Sequence, residues 1–232
     1  MMKISDRTSL SKVSGIIQTQ TKVPKRQRKL INQTYFGRSR NIPVFNCFRL
    51  FKSITTLDGS LYLRFLNKTP IMTPQNYMES TRNCSSFITD RGYITHHLTA
   101  EERNFPIAFS ILMYKDVDQV ERLLRTIYRP QNIYCIHVDS KTDDALYRAI
   151  QNISHCFDNV FVLNKRVNVT WGEMSVLEPE LLCMKELLTR NKRWKYFINL
   201  TGQEFPLKTN YELVKILQAY NGSNDVESSV TE

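Results

Sequence analysis

From Phe105 onward, short continuous apolar runs alternate with segments that carry apolar residues at helical spacing. The runs have strand length and are apolar throughout, which is typical of strands buried on both faces; they cover residues 106–114, 132–138, 159–163 and 195–200. The intervening spacing predicts four helices. The first is capped by Asp116 and ended by Arg129-Pro130. The others cover residues 142–153, 173–190, with Pro179 inside, and 209–219, the last of which is capped by Thr209.

This repeated strand–helix order predicts an α/β fold, with a mostly parallel sheet covered by helices on both faces. In such sheets ligands bind at the carboxyl ends of the strands, near the point where the strand order reverses. The residues at these ends are Tyr114, Asp139 and the segment 201–204. They are therefore the first candidates for a binding site.

The residues before Phe105 follow a different pattern. Residues 1–45 are polar and basic and are expected to be a disordered tail, whereas residues 46–104 form a mixed stem or N-terminal subdomain. Helical patterning there is weak, at residues 60–66 and 73–80; Thr73 is suited to cap the second segment and Pro74 to begin it. Residues 105–232 form the regular α/β part.

Charge is concentrated in the tail. Residues 1–40 hold ten Lys or Arg against Asp6, which is +9 of the net +10, so the rest of the chain is almost neutral. This distribution argues against nucleic-acid binding by the globular part. The basic run at residues 25–29 suits a solvated tail, a nuclear signal or the cytosolic flank of a membrane segment. No transmembrane anchor is visible, because the apolar segment 42–51 is about half the length that a bilayer requires and contains Arg49.

The cysteines and glycosylation sequons bear on the compartment. None of the five cysteines has the C-x-x-C spacing of a zinc site, so no metal site is expected from them. They suit either reduced core thiols or disulfides. Seven N-x-S/T sequons favour an oxidising compartment, where disulfides persist. Asn67, Asn152 and Asn168 are the glycosylation candidates, and Asn199, in an apolar run, is expected to be buried.

Few short motifs indicate chemistry. No glycine-rich phosphate loop is present, which counts against dinucleotide and P-loop enzymes. Asp116 and Asp118 form an Asp-x-Asp that could hold a divalent metal, but acidic residues at this position are ordinary helix capping. Asp139 could accept hydrogen bonds from a ribose or a base, or cap the next turn. Trp171 could stack on a base, or fill the core.

Longer blocks of sequence carry a resemblance. The blocks are FPIAFS (105–110), RLLRTIYRPQNIYCIHVD (122–139), CFDNVFV (156–162), LCMKEL (182–187), WKYFINLTG (194–202) and FPLKTN (205–210). In content and order they closely resemble the Branch-domain family of core-2/I-branching β-1,6-N-acetylglucosaminyltransferases, and the resemblance extends from about residue 73 to residue 227.

The resemblance implies the donor-binding half of a GT-A-like (Rossmann-like) domain whose C-terminal half is missing. Members transfer GlcNAc from UDP-GlcNAc to the 6-hydroxyl of GalNAc or galactose in O-glycans of glycoproteins, with inversion. They are Golgi membrane proteins and use no metal cofactor, so UDP-sugar and the glycoprotein acceptor are the expected partners, with a possible homodimer. Alternatives are a non-catalytic product that binds UDP or only associates, a protein xylosyltransferase, and a basic-tailed nuclear or membrane-surface module.

The resemblance also assigns residues. Tyr114, Asp139 and Trp171 fall on donor-contacting positions and Glu227 on an acceptor-binding position. Tyr114 replaces the usual His and Trp171 the Tyr of the core-2 enzymes, while Glu204 replaces the usual Asp. The catalytic glutamate falls beyond residue 232, so this chain alone is expected to be inactive.

The same resemblance implies a cysteine pairing. It predicts disulfides Cys84–Cys156 and Cys135–Cys183, and it leaves Cys47 unpaired.

Overall fold

Four parallel strands form one sheet in a computed structural model, which describes residues 71–191 and 193–224. The sheet order is β3-β2-β1-β4. The strands are β1 (Ile107–Met113), β2 (Ile133–Val138), β3 (Val160–Val162) and β4 (Tyr196–Thr201). All four occupy the predicted apolar runs, and the parallel pairing is confirmed.

The helices fill the intervals between the strands and precede the sheet. They are α1 (Pro74–Ser80), α2 (Cys84–Arg91), α3 (Ala100–Arg103), α4 (Val117–Ile127), α5 (Asp144–His155), α6 (Glu178–Arg190) and α7 (Asn210–Tyr220). A 3₁₀ turn, Met174–Val176, precedes α6. Within the described residues, no helix combines the length and apolarity that crossing a bilayer requires.

Strand β1 lies at the centre of the sheet because β2 and β4 pair with its two edges. One face of β1, with Ile107, Phe109 and Ile111, packs in a large apolar cluster with α4, α5 and α7. The other face contributes Ala108 to a smaller cluster with β2 and α6. The continuous apolar run therefore reflects burial on both faces, as the sequence predicted.

Side-chain caps begin the three helices for which the sequence predicted a capping residue. Thr73 and Thr209 each form a capping box, with Asn76 and Glu212 respectively. Asp116 accepts a hydrogen bond from the backbone of Gln119, with its own φ at 59° in the left-handed region. The predicted caps at Thr73, Asp116 and Thr209 are confirmed.

The predicted start of the long helix was wrong. Helix α6 begins at Glu178 rather than Glu173, and the 3₁₀ turn occupies part of the difference. Pro179 explains the change, because it lies in the first turn of α6, where its missing N–H costs nothing. Pro179 is therefore not an interior residue of the helix, as the longer predicted helix had required.

A buried carboxylate joins the N-terminal helices to the sheet domain. Glu121 of α4 is fully buried and forms ion pairs with Arg91 of α2 and Arg125 of α4. Tyr77 of α1 donates a hydrogen bond to Glu121 at 3.3 Å and to Asp118 at 2.7 Å. A buried charge is tolerated only when it is paired in this way, so α1, α2 and α4 form one packed unit.

The cysteines confirm one predicted pairing and correct the other. Cys84 and Cys156 are disulfide-bonded, with their Cα atoms 5.0 Å apart. Cys135 and Cys183 are instead free thiols buried together in the small cluster. Burial raises the pKa of Cys135, and a hydrogen bond with Cys183 raises it further, so Cys135 packs as a neutral, small apolar side chain. Cys47 lies outside the described residues.

His137 of β2 anchors the loop that follows β3. Its side chain is buried, and its Nε2 accepts a hydrogen bond of 3.0 Å from the backbone N–H of Val167. Burial lowers the pKa of His137 to about 4, with nearby Asp139 and Glu178 acting in the opposite direction and Arg166 in the same direction. The imidazole is therefore neutral at neutral pH, as its acceptor role requires.

Replacing Cys84 with Ala should lower the free energy of unfolding by about 2–5 kcal/mol, because the bridge closes a long loop of the unfolded chain. Urea denaturation of both proteins measures the difference. Dithiothreitol should destabilise the wild type by a similar amount and leave the Cys84→Ala variant unchanged. Further destabilisation of the variant by reductant would show that Cys135 and Cys183 are bridged.

Acid should weaken the fold through His137. Its pKa is lower in the folded state than in the unfolded state, so its contribution to stability is complete above about pH 6.5 and is lost as the pH falls towards 4. Urea denaturation of wild type and His137→Gln at several pH values should show a shallower pH dependence for the variant, by at most about 1.4 kcal/mol per pH unit. His155→Gln, which alters an exposed side chain, should retain the wild-type slope; equal slopes in all three proteins would contradict this account.

Candidate nucleotide-sugar site

The strand order reverses between β1 and β4, and their carboxyl ends meet there. Gly202, directly after β4, donates a 2.7 Å hydrogen bond to Leu112 of β1. A Cβ at Gly202 would lie 2.8 Å from Val120 and 3.1 Å from Met113, so only glycine allows this approach without rearrangement. At the carboxyl edge of the sheet, the backbone that follows β4 therefore packs directly against the end of β1 and against α4.

Tyr114 lies on this edge with its side chain 54% exposed. Its hydroxyl accepts a hydrogen bond of 3.1 Å from the side chain of Gln203, and the ammonium of Lys115 lies 5.0 Å from the centre of its ring. The hydrogen bond with Lys115 is the main cause that lowers the pKa of Tyr114, followed by that with Gln203. Tyr114 therefore exposes its aromatic ring to solvent while Gln203 holds its hydroxyl.

Asp139 follows β2 and is almost fully buried. Its Oδ1 accepts the backbone N–H of Lys141 at 2.8 Å, while Oδ2 accepts the Lys141 ammonium at 3.0 Å and the backbone N–H of Val169 at 3.3 Å. Burial raises the pKa of Asp139, but the bonds from Lys141 outweigh burial and the net pKa lies below its ordinary value. A carboxylate has about four acceptor positions, so this ionised group retains capacity for a ligand donor.

Lys141 joins the two loops that follow β2 and β3. Its ammonium contacts the carboxylate of Asp139, the side-chain oxygen of Asn168 at 2.9 Å and the carbonyl of Val169. Backbone bonds join the same loops, since Ser140 donates to Val167 at 3.0 Å. We name these segments the β2–α5 loop (139–143) and the β3–α6 loop (163–173).

Trp171 belongs to the β3–α6 loop and is 95% exposed. The alternative that it fills the core is therefore wrong. Its loop is bonded to Asp139 through Val169, two residues earlier. The β2–α5 loop is bonded in turn to Tyr114, because the hydroxyl of Thr142 donates to the Tyr114 carbonyl at 2.9 Å. Hydrogen bonds thus join the β2–α5 loop both to Tyr114 and to the loop that carries Trp171.

The Asp-x-Asp is part of the framework. Asp116 caps α4, and the buried Asp118 pairs with Arg122 at 2.7 Å and accepts from Tyr77. Glu204 also has a structural role, because its carboxylate accepts the backbone N–H of Thr201 at 3.0 Å and closes the turn after β4.

The sequons on the described residues differ in their surroundings. Asn168 is exposed but bonded to Lys141, and Asn152 is half-buried within α5. Asn199 is exposed, so its predicted burial was wrong. Phe197, on the same face of β4, packs against the small cluster that includes α6, but Asn199 lies beyond that cover. Asn67 and Glu227 lie outside the described residues.

Sequence reasoning missed three residues that assemble this edge, Lys141, Thr142 and Arg166. Each is a single polar residue in a loop without a motif, and only the juxtaposition of the loops reveals its contacts. The periodicity located the strand ends but could not indicate which loop residues meet.

Residues 107–232 match the family model described as Core-2/I-Branching enzyme. The chain is 45% identical over 161 residues to a human beta-1,3-galactosyl-O-glycosyl-glycoprotein beta-1,6-N-acetylglucosaminyltransferase, covering 69% of the chain and 38% of that protein. It is 47% identical over 149 residues to the Danio rerio protein of the same name numbered 4, covering 64% of the chain and 35% of that protein. A Bovine herpesvirus 4 protein named as the human one is 41% identical over 168 residues, covering 72% of the chain and 38% of that protein.

The chain spans well under half the length of these curated relatives. The family match covers 126 residues, so a similarity over 168 residues includes at least 42 positions before residue 107. The N-terminal helices packed around Glu121 therefore share in the similarity, together with the sheet. The chain belongs to the core-2/I-branching enzyme family.

Proposed function

We propose that the described residues form the nucleoside half of the donor site in an enzyme that transfers GlcNAc from UDP-GlcNAc to the 6-hydroxyl of an O-glycan GalNAc or galactose. The observation that carries the proposal is the ionised, almost buried Asp139, held in loops that also carry the exposed Trp171 and adjoin Tyr114. The names of the relatives describe β-1,6-N-acetylglucosaminyl transfer, which favours GlcNAc over xylose as the donated sugar.

Asp139 suits a nucleoside because it accepts hydrogen bonds only. The uracil N–H and the ribose hydroxyls are donors, and a bond to a charged acceptor is stronger than one between neutral groups. Trp171 supplies the complementary apolar contact. An indole exposed to 95% has a free face, and stacking of a base on an aromatic side chain contributes about 1–3 kcal/mol.

The reaction requires charge neutralisation at the diphosphate and a base for the acceptor hydroxyl. In the proposed inverting step the acceptor oxygen forms a bond to the anomeric carbon, the bond to the UDP oxygen breaks, and the base takes the hydroxyl proton. Asp116 and Asp118 are engaged in capping and in ion pairing, which supports a donor site without a metal cofactor. Basic side chains would then stabilise the leaving UDP.

The acceptor and the compartment belong to the same proposal. The relatives' names indicate a glycoprotein-linked β-1,3-galactosyl O-glycan as the acceptor of those proteins, and we extend it to this chain, with Glu227 as its sugar-binding residue. A Golgi membrane location is supported by the Cys84–Cys156 disulfide, because such bonds persist in oxidising compartments.

Isothermal titration of the chain with UDP tests the half-site. Binding should be detectable, and CDP should bind more weakly, because cytosine lacks the ring N–H that uracil can donate to Asp139. Trp171→Ala should weaken UDP binding by about fivefold to 150-fold, which corresponds to the loss of about 1–3 kcal/mol of stacking. Leu188→Ala, which removes a partly exposed apolar side chain from α6, should leave the affinity unchanged.

Asp139→Asn should weaken UDP binding by about tenfold or more, because an amide replaces a charged acceptor. Asp158→Asn is the matched control, since Asp158 is an exposed acid just before β3, at the amino end of the sheet. Unchanged UDP affinity in both Asp139→Asn and Trp171→Ala would remove the basis for a nucleoside site at this edge.

A further inference from the structure

The guanidinium of Arg166 contacts a series of backbone carbonyls in the β2–α5 loop. Its Nη2 donates to the carbonyls of Asp139 at 2.9 Å, Ser140 at 3.2 Å and Thr142 at 2.6 Å. The Arg166 side chain is only 18% exposed. One side chain from the β3–α6 loop therefore fixes the backbone of the other loop at three residues.

Helix α5 holds the guanidinium from the other side. Nη1 lies 3.4 Å from the carboxylate of Asp144, and the guanidinium carbon lies 4.6 Å from the centre of the Tyr147 ring. Both contacts fall in the first two turns of α5. Arg166 is thus oriented by an ion pair and by a cation–π contact, independently of the carbonyls that it binds.

These contacts reach Asp139 directly and involve the segments that lead to Tyr114 and Trp171. The carbonyl of Asp139 is bound directly, and Thr142 donates its hydroxyl to the Tyr114 carbonyl. Arg166 itself lies five residues before Trp171 in the same loop. The side chain of Arg166 therefore connects the backbone of one site loop to the other, while Lys141 connects them at the Asp139 carboxylate.

We propose that Arg166 is a positioning residue for donor binding, which holds the β2–α5 loop so that the Asp139 carboxylate faces the nucleoside. This inference rests on the proposed function. Arginine suits the task because its planar group presents several N–H donors in fixed directions, whereas a lysine ammonium is a compact charge on a flexible stem. The neighbouring Lys165 does not share the role, since it pairs with Glu178 at 2.6 Å.

The test compares UDP dissociation constants of wild type, Arg166→Ala, Arg166→Lys and Arg190→Ala, with thermal unfolding of each. Arg190 is the matched control, because it also stacks on an aromatic ring, that of Phe161 at 4.1 Å, but lies at the last residue of α6. We expect Arg166→Ala to weaken UDP binding by about fivefold or more, Arg166→Lys by a smaller factor above twofold, and Arg190→Ala not at all.

A double-mutant cycle with Asp139→Asn separates positioning from general destabilisation. If Arg166 acts through Asp139, Arg166→Lys should change the affinity of the Asp139→Asn protein by clearly less than it changes that of the wild type. Equal factors in the two backgrounds would overturn the proposal. A folded Arg166→Lys protein with wild-type affinity would also overturn it, and this variant decides the matter if Arg166→Ala does not fold.

The two proposals fail in different ways. A wild-type chain that does not bind UDP would remove the proposed donor site itself. A wild-type chain that binds UDP, and loses affinity in Asp139→Asn but not in either Arg166 variant, would leave the donor site in place and remove only the role of Arg166.

Discussion

Strand β1 has a neighbour on each edge and packed side chains on each face, and the rest of the sheet domain depends on this position. Because β2 and β3 lie on one side of β1 and β4 on the other, the connection through α6 must cross to the opposite face from α4 and α5. That crossing reverses the strand order at the carboxyl ends of β1 and β4, the position where ligands bind in sheets of this kind. The site is thus a consequence of topology before any functional side chain is considered.

The loops at this edge are joined by hydrogen bonds to one another and to strand β2. His137, Lys141 and Arg166 each accept from or donate to backbone groups of a neighbouring loop, so polar atoms that would otherwise need water are satisfied within the protein. Such an arrangement allows Asp139 to remain ionised while almost buried. Preorganised charge of this kind reduces the ordering that a ligand would otherwise have to impose.

The sequence predicted the elements wherever one periodicity was uninterrupted. Strand β1 was located because burial on both faces gives a continuous apolar run. Helix α4 was located because burial on one face gives apolar residues at helical spacing. The start of α6 was misplaced because apolar spacing continues through the 3₁₀ turn, and only Pro179 marked the true first turn. The Cys135–Cys183 pair shows another limit, since adjacency in the fold does not determine whether two thiols are oxidised.

The candidate site was predictable in outline and not in detail. Tyr114 and Asp139 could be placed at an edge because strand ends are visible in the sequence, and the resemblance assigned Trp171 to the same site. Arg166 could not be found in this way, because its role depends on three backbone carbonyls of another loop, which come within reach of its guanidinium only when the chain folds. Contacts between side chains and distant backbone leave no pattern in a single sequence.

The disulfide has a consequence for biosynthesis. Cys84 and Cys156 are separated by 72 residues, so helix α2 leaves the ribosome well before its partner at the end of α5. At about 5–20 residues per second, the delay is about 4 to 14 s. During that time strand β1, helix α4 and strand β2 are synthesised, while the Cys84 thiol is open to mispairing with any other cysteine or thiol reagent. Correct oxidation therefore follows synthesis of the two central strands, and the bridge then ties helix α2 to the end of helix α5.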